Sequence, residues 1–578
     1  MKHSLFLTFF LSVLSLILPE DLFCEEFTYF SDTQYPLQVH YLKGESKGKT
    51  VLVQGGIQGD EATGFISAQI LTRAKVKKGN LIIIPRANLP SVHHRTRKVN
   101  VDLNRRFDKD YNKFYEDRIA RLIRLILNRC DGFIHLHEGY GFHSPEYKSS
   151  LRNPNRYGQS MIIDTDVIGD GINLKGMVTS VLGELNRTII NPDYAFELFN
   201  TDTFNPRTRH LEQRKSLTYF ATKEKGIPAV AIEVSKSITD LEWKVRKQLH
   251  ATSLLLKRMG VEVELPKISQ KNFARYFQPS RTGLVVNGKV VQIGGKLQLD
   301  AGKEIHVQLD KDQEQFIDSK WAVFASDRPK MNLVDSPRLA LYPFSHLTVF
   351  HDGVRLGRIG IEWKGEWPKP PVSRQPVFVV RVNGNLRYVP AGHTLQVLEG
   401  SRLVFEGVWQ GISREVVNVK GYVSDLLHND GQDLGMEIVL DPEVFLSGYL
   451  ERNGRNWRFE VQRETPGKSR ESATISVTPR EVRLVRFQNR SGKRIHMNWR
   501  EGTSFPLPAG EYLLEDLWGT GSVEDYMIFV NGRHVPWGGR FALGDDGEAE
   551  LSLYLSTTCR PLGRMELGEY DTVQLTRP

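Results

Sequence analysis

The hydrophobic pattern changes period near residue 266, and this change limits the possible folds more than any other feature. Upstream of it, short apolar runs bounded by turn residues, TVLVQGG and NLIIIPRAN, read as buried strands. Between Tyr111 and Cys130 the residues Phe114, Ile119, Leu122, Ile123, Ile126 and Leu127 recur with the spacing of a helix that has one apolar face. GFIHLHEG, SMIIDTD and IPAVAIEVS follow as further strands, and Asp240 to Met259 reads as a helix. Strands alternating with helices predict an α/β domain whose mixed sheet is flanked by helices. In open sheets of this kind ligands bind beyond the strand C-terminal ends.

Downstream, helical periodicity fades. Short alternating runs separated by Asn-Gly and Asp-Gly take its place, the chemistry of β-hairpins. LVVNGKVVQIGGKLQL (284–299), VRVNGNLRYVPAGHTLQV (380–397) and IFVNGRHVPWGGRFAL (528–543) share a Val-Asn-Gly turn, a later glycine and an apolar pair. They predict three β modules; shared hairpin chemistry alone would also produce the likeness. A chain of 578 residues exceeds one core. The expected division is residues 25–265 as the α/β domain and 266–368, 369–465 and 466–578 as β modules, the second Ig-like or a barrel. Its boundaries fall near EWPKPPVSRQP and RETPGKSRES.

The first 24 residues stand apart. Lys2 and His3 precede an apolar run from Leu5 to Leu18, then Pro19 and a short polar stretch. A membrane-spanning helix needs about 20 apolar residues, so this run reads as a cleaved secretory signal peptide, with cleavage near Cys24–Glu25. The expected location is the periplasm. Of three cysteines, Cys130 and Cys559 remain after cleavage; both a bridge and two buried free thiols are compatible with the sequence. The net charge of +9 is scattered, with no Lys/Arg block. That pattern suits an acidic matrix such as cell-wall polymer and gives no reason to expect nucleic acid.

Chemistry concentrates at a few positions. In VLVQGGIQGDEATGF, Gln58 and Glu61 lie three apart where a strand runs through a glycine-rich turn into a helix, so their oxygens can converge on one cation. His137, in DGFIHLHEG, is the natural third ligand of a zinc site with a position open to water. Amide oxygen is a poor zinc ligand, and Gln58 is also compatible with a turn residue bonding backbone. His135 shares a strand face with His137, so either fits a core histidine. In RANLPSVHHRTRKVNVDLNRRF, Arg97 precedes Asn104 and Arg105 by seven and eight residues. Arginine grips carboxylates with a planar fork, and a separate arginine can stabilise an oxyanion. A solvated basic loop describes Arg95, Lys98 and Arg106; His93 and His94 read as structural, with an approach to the metal left open. Glu233 interrupts the apolar strand IPAVAIEVS, where a carboxylate needs either an ion-pair partner or a catalytic task.

Taken together, these residues resemble the zinc metallocarboxypeptidase superfamily that includes aspartoacylase and succinylglutamate desuccinylase. The shared order is a ligand pair three apart, Arg, then Asp-Leu-Asn-Arg, a strand ending in His, and a strand-borne Glu. Gln58 stands where most members have His. That departure resembles the branch of peptidoglycan DL-carboxypeptidases that set cell shape in helical bacteria, as do HEGYGFHSPEY, RNPNRYGQSMIID, RKSLTYFA and AIEVSKS. The resemblance covers residues 45–260 strongly, and the chain is longer than that branch by about one β module. It implies one zinc held by Gln58, Glu61 and His137, with Glu233 as general base and acid. It further implies that Arg97 polarises the scissile carbonyl and that Asn104 and Arg105 hold the terminal carboxylate. The implied substrate is a muramyl tripeptide, cut at the γ-D-Glu–meso-diaminopimelate bond to leave a dipeptide. Cell-wall or shape-complex proteins are conceivable partners of the β modules. Two rival readings are an amidohydrolase of small N-acyl amino acids and a catalytically degenerate cell-wall binding protein.

Overall fold

The computed structural model describes residues 24–169, 171–277, 284–309, 317–334, 337–367, 375–409, 416–423, 431–464, 470–544 and 548–568. The expected signal segment lies outside the described residues except for Cys24. Among the described residues no helix is long and apolar enough to cross a membrane.

The N-terminal domain is built from strands β1 (Cys24–Tyr29), β2 (Leu37–Lys43), β3 (Ser46–Gln54), β4 (Lys75–Ile84), β5 (Gly132–Gly139), β6 (Ser160–Ile163), β7 (Glu197–Asn200), β8 (Ala229–Ser235) and β9 (Glu262–Glu264). Its helices are α1 (Ala62–Leu71), α2 (Leu89–His94), α3 (Tyr115–Leu127), α4 (Leu174–Asn186), α5 (Leu217–Lys223), α6 (Leu241–Arg258) and α7 (Gln270–Phe277). The strands form one nine-stranded sheet in the order β1-β2-β4-β3-β5-β8-β6-β7, with β9 on β4. The central four strands run parallel and the flanks add antiparallel pairs, so the sheet is mixed as expected. Central strands read as continuous apolar runs because both faces are covered. Val51, Val53, Ile134, Leu136, Val230 and Ile232 face one core with α1, α4 and α6. Leu52, Ile82, Ile84 and Phe133 face the other with α3 and α5.

Helix α3 is shorter than the periodicity suggests. Asp117, in its first turn, sets its start at Tyr115 by accepting from the Phe114 and Lys113 backbone N–H groups at 2.8 and 2.9 Å. Helix α7 lies past the expected boundary at 265 and belongs to the first domain, with Phe273 and Tyr276 in its core.

All-β sheets follow, with separate cores in 284–363, 378–477 and 482–567. The boundary expected at 465 lies outside the described residues; on either side of it Glu471–Thr478 pairs with Asn456–Glu464 and, in parallel, with Thr394–Leu398. All three Val-Asn-Gly segments form hairpin turns with left-handed backbone at both turn residues: Asn287/Gly288, Asn383/Gly384 and Asn531/Gly532. In each, the asparagine Oδ1 accepts a backbone N–H from a neighbouring strand, of His306, Arg402 and Glu550 respectively, at 2.8 Å. In the first two modules this hairpin opens the module, and the next long strand runs parallel to the module's last. In the third it comes late, so there the likeness is hairpin chemistry alone.

All three modules return to the first domain. Arg86, just past β4, makes a buried fork to Asp352 at 2.9 and 2.7 Å, and the Tyr276 hydroxyl donates to the same carboxylate at 2.7 Å. Gln34 accepts from the Asn332 N–H and its own N–H donates to Glu437, tying in the first and second modules. Met527, Phe529 and Cys559 of the third module complete the core behind α3. Cys130 shares that core, and both thiols are free and buried. Burial pushes each thiol up to about 12.

Candidate active site

The turn after β3 is the first part of the site. A β-carbon at Gly59 would overlap the Ser91 carbonyl, one at Gly55 would overlap Gly64, and Gly56 takes a left-handed φ of 62°. Only glycine lets the chain turn this tightly against α1 and α2. The turn delivers Gln58 and Glu61, 2% and 4% exposed, to the C-terminal end of the sheet. Glu61 occupies the N-cap of α1, where the helix dipole favours a negative group.

The second part comes from two neighbouring parallel strands. His137 of β5 stands beside Glu233 of β8 in register. The imidazole Nδ1 lies 2.8 Å from Glu61 Oε2, which also accepts the Glu138 N–H at 3.2 Å. Burial alone would depress His137, yet the adjacent Glu61 carboxylate raises it above its ordinary value. Behind it, Gln248 of α6 donates to the His137 and Ile232 carbonyls at 3.0 and 3.2 Å, fixing the two strand ends together. His135 lies two residues deeper, fully buried, with Nε2 3.4 Å from Gln54 Nε2. Burial drives it far below the ordinary histidine range, so it is a neutral core residue.

Glu233 Oε2 is buried and has no hydrogen-bond partner, which marks it as awaiting a group that the protein does not supply. Burial pushes its carboxyl up to about 7 against the pull of His137, with Glu61 adding to the rise. A β-carbon at Gly139 would meet Glu233 Oε2 at 2.8 Å and the Gly158 Cα at 2.7 Å, so the carboxylate's place depends on that glycine.

The third part is the segment after α2, and its centre is Asp102. The carboxylate accepts from Gln58 Nε2 at 3.2 and 3.4 Å, from Arg97 Nε and Nη2 at 3.0 and 2.8 Å, and from the Asn104 N–H at 3.0 Å. Because a carboxylate only accepts, Gln58 must present its NH2 to Asp102, leaving the amide oxygen as its other end. Asn104 Oδ1 accepts from the Leu217 N–H at 3.1 Å, which leaves its NH2 to donate to a carboxylate. Arg105 Nη1 donates to the Asn104 carbonyl at 2.8 Å.

Gln58, Arg97, Asn104 and Arg105 therefore converge through Asp102, while Glu61, His137 and Glu233 converge at the strand ends. His93 and His94 do not join them: His94 stacks on Phe324 of the first module, 4.8 Å between centroids. Asp102 itself, and the Lys236–Asp60 pair at 2.7 Å beside β8, were not singled out in the sequence. Asp102 stands inside the VDLNRR motif, but its partners lie 5 and 44 positions away, which no spacing rule reaches.

Among the described residues no three His, Cys, Asp or Glu side chains cluster as a metal cage. The donors here are one imidazole, one carboxylate and one amide, a set outside that inventory. They fit a divalent cation. Nδ1 of His137 and Oε2 of Glu61 face each other at 2.8 Å, and tetrahedral zinc with bonds of about 2.0–2.1 Å separates its donors by about 3.3 Å.

A mixed sheet with this donor set and a strand-borne glutamate at its C-terminal edge defines a carboxypeptidase-type hydrolase domain. Residues 35–267 match the family described as carboxypeptidase controlling helical cell shape, catalytic. No curated protein matches the chain. Among solved structures, the chain is similar to the apo cell shape determinant protein Csd4 from Helicobacter pylori, at 19% identity over 75% of this chain and 96% of that one, TM-score 0.43. It is similar also to the mDAP-bound form of that protein, described as a D,L-carboxypeptidase, at 20% identity over 75% and 96%, TM-score 0.42. A succinylglutamate desuccinylase/aspartoacylase from Rhodobacter sphaeroides aligns at 20% identity over 43% of this chain and 68% of that one, TM-score 0.30.

Proposed function

We propose that this chain is an exported, zinc-dependent DL-carboxypeptidase that removes meso-diaminopimelate from peptidoglycan tripeptide stems, acting in the periplasm. The family described for residues 35–267 supports the class of reaction. The observation that carries the chemistry is the unpartnered Oε2 of Glu233 beside the His137–Glu61 pair. Gln58, Glu61 and His137 would hold the metal, which when bound supplies Lewis acidity and makes a water easier to deprotonate.

The chain's own groups do the rest. Glu233 takes the attacking water's proton and returns it to the leaving amine, cycling between carboxylate and acid. Arg97, with two nitrogens on Asp102, has its remaining amino group to turn to the scissile carbonyl and stabilise the developing oxyanion. Asn104 and Arg105 offer donors to the terminal carboxylate, which selects the free end of a stem over an internal bond. The N-terminal signal-like segment and the excess of positive charge suit a cell-wall substrate.

Digestion of purified muropeptides carrying tri-, tetra- and pentapeptide stems together, followed by mass analysis, tests the reading. Loss of one diaminopimelate residue from tripeptides alone is expected, with about one zinc per chain. Turnover of N-acetylaspartate or succinylglutamate in its place would favour the small-amide hydrolase. A metal-free chain that binds sacculi without cutting them would favour the binding protein.

A further inference from the structure

The active-site loop has a second side. Thr96, Lys98, Val99 and Asn100, which flank Arg97, line a cavity of about 440 Å³ where the first domain meets the first two β modules. That volume lies within the range of about 300–1,000 Å³ usual for small-ligand sites. Its walls combine apolar and polar groups. Tyr35 and Tyr115 stack face to face with centroids 3.8 Å apart, and Met331, Met436, Val439 and Val444 complete the surface.

The charges around it are one-sided. Lys98, Lys113, Lys330 and Arg118 line the cavity against a single acid, Glu437. Glu437 already accepts from the Gln34 N–H at 2.9 Å and from Arg402 at 3.3 Å. The three lysine ammonium groups have no ion-pair partner among the described residues. His93, 4% exposed, also lines the cavity and leaves Nδ1 without a hydrogen-bond partner. Burial lowers this imidazole to about 3, so it is neutral and its unpartnered nitrogen needs a ligand or a water.

We infer that this junction is a second binding site, for a small organic anion with an apolar or aromatic body, and that its occupancy biases the loop that carries Arg97. The anionic head would sit among Lys98, Lys113 and Lys330, and the body against the stacked tyrosines and the methionines. The coupling follows from how the loop is tethered. Glu116 holds one point by accepting from the Asn100 N–H and Nδ2, both at 3.0 Å. Asp102 holds the next by gripping Arg97 and Gln58. Of residues 96–100 only Arg97 does not line the cavity and is bonded to Asp102 instead, so a ligand that draws Lys98 into the cavity sets the presentation of Arg97 on the other side.

Titration of the full chain with anilinonaphthalene sulfonate tests the site without reference to catalysis. One saturable site is expected, with a dissociation constant raised about tenfold or more in the Lys113→Glu/Lys330→Glu variant, whose substitutions, one half-buried and one exposed, leave the melting temperature unchanged. Binding that is unsaturable, or equal in the variant, overturns the site and leaves a water-filled seam. The coupling is read by trypsin, since Arg97 and Lys98 are exposed. The probe should slow cleavage after these residues at least threefold in the wild type and leave the variant unaffected; equal cleavage overturns the coupling. Only a final arm, a change of at least twofold in kcat/KM on tripeptide, rests on the proposed function. A wild type inert towards every stem counts against that function, while binding and protection still judge the cavity.

Discussion

At the scale of single residues, Asp102 organises more of the site than any ligand does. It restrains Gln58, Arg97 and Asn104 at once, so its loss should be felt in two measurements. Asp102→Asn is expected to weaken zinc by about 10–100-fold in chelator competition, the usual cost of losing a group that orients a ligand. The turnover number kcat should fall as well, because Arg97 is released from the place where it would stabilise the oxyanion. Glu233→Gln separates chemistry from binding. The amide cannot take up the water's proton, so kcat should fall by about 10²–10⁴-fold while zinc content by metal analysis stays at the wild-type level. Arg105→Ala should raise KM for tripeptide and spare the metal. The proposed ligands and the proposed general base stood out in the sequence because each interrupts an apolar pattern or repeats at a ligand spacing. Asp102 was not, because a carboxylate inside a basic, polar segment looks like ordinary solvation until its partners are seen.

At the scale of elements, glycine decides where the carboxylates stand. Gly139→Ala places a methyl against Glu233 Oε2 and the Gly158 backbone. Turnover should drop steeply with zinc retained, because His137 two residues earlier keeps its place; normal activity would show that Glu233 has room to move. The strands, α6 and the hairpins were legible because period and turn chemistry agree locally. Helix α3 was overextended because Asp117, which caps it, reads in sequence as one more polar-face residue. The boundary near 465 rests on composition alone, and the pairing of 471–478 with 456–464 on either side of it carries no such signal in the sequence.

At the scale of the whole molecule, stability and interdomain contact are joined. The Arg86–Asp352 pair is almost fully buried, at 4% and 2% side-chain exposure; burial would raise the Asp352 carboxyl, but the Arg86 guanidinium holds it below its ordinary value. Removing one partner strands the other, and Asp352→Ala should cost about 3–5 kcal/mol, read as a lowered melting temperature. Glu437 behaves in the opposite sense. Burial pushes it up to about 7, so the folded protein prefers its protonated form. Its contribution is complete below about pH 4.5 and is lost as pH rises towards 7, a change of about 3 kcal/mol by linkage. Glu437→Gln should flatten the dependence of chemical-denaturation midpoint on pH across that window. None of these contacts was legible in the sequence, since their partners lie hundreds of positions apart and carry no periodic signal.

The third module's contribution to the core behind α3 has a consequence for how the molecule is made. The wall behind α3 is finished by Met527, Phe529 and Cys559, which a ribosome makes hundreds of residues after the helix itself. Until then α3 has an unsheathed greasy flank, and the first domain should stay loosely closed. Truncating the final module should therefore leave a catalytic half prone to self-association, whose ripening into a working enzyme waits on the tail.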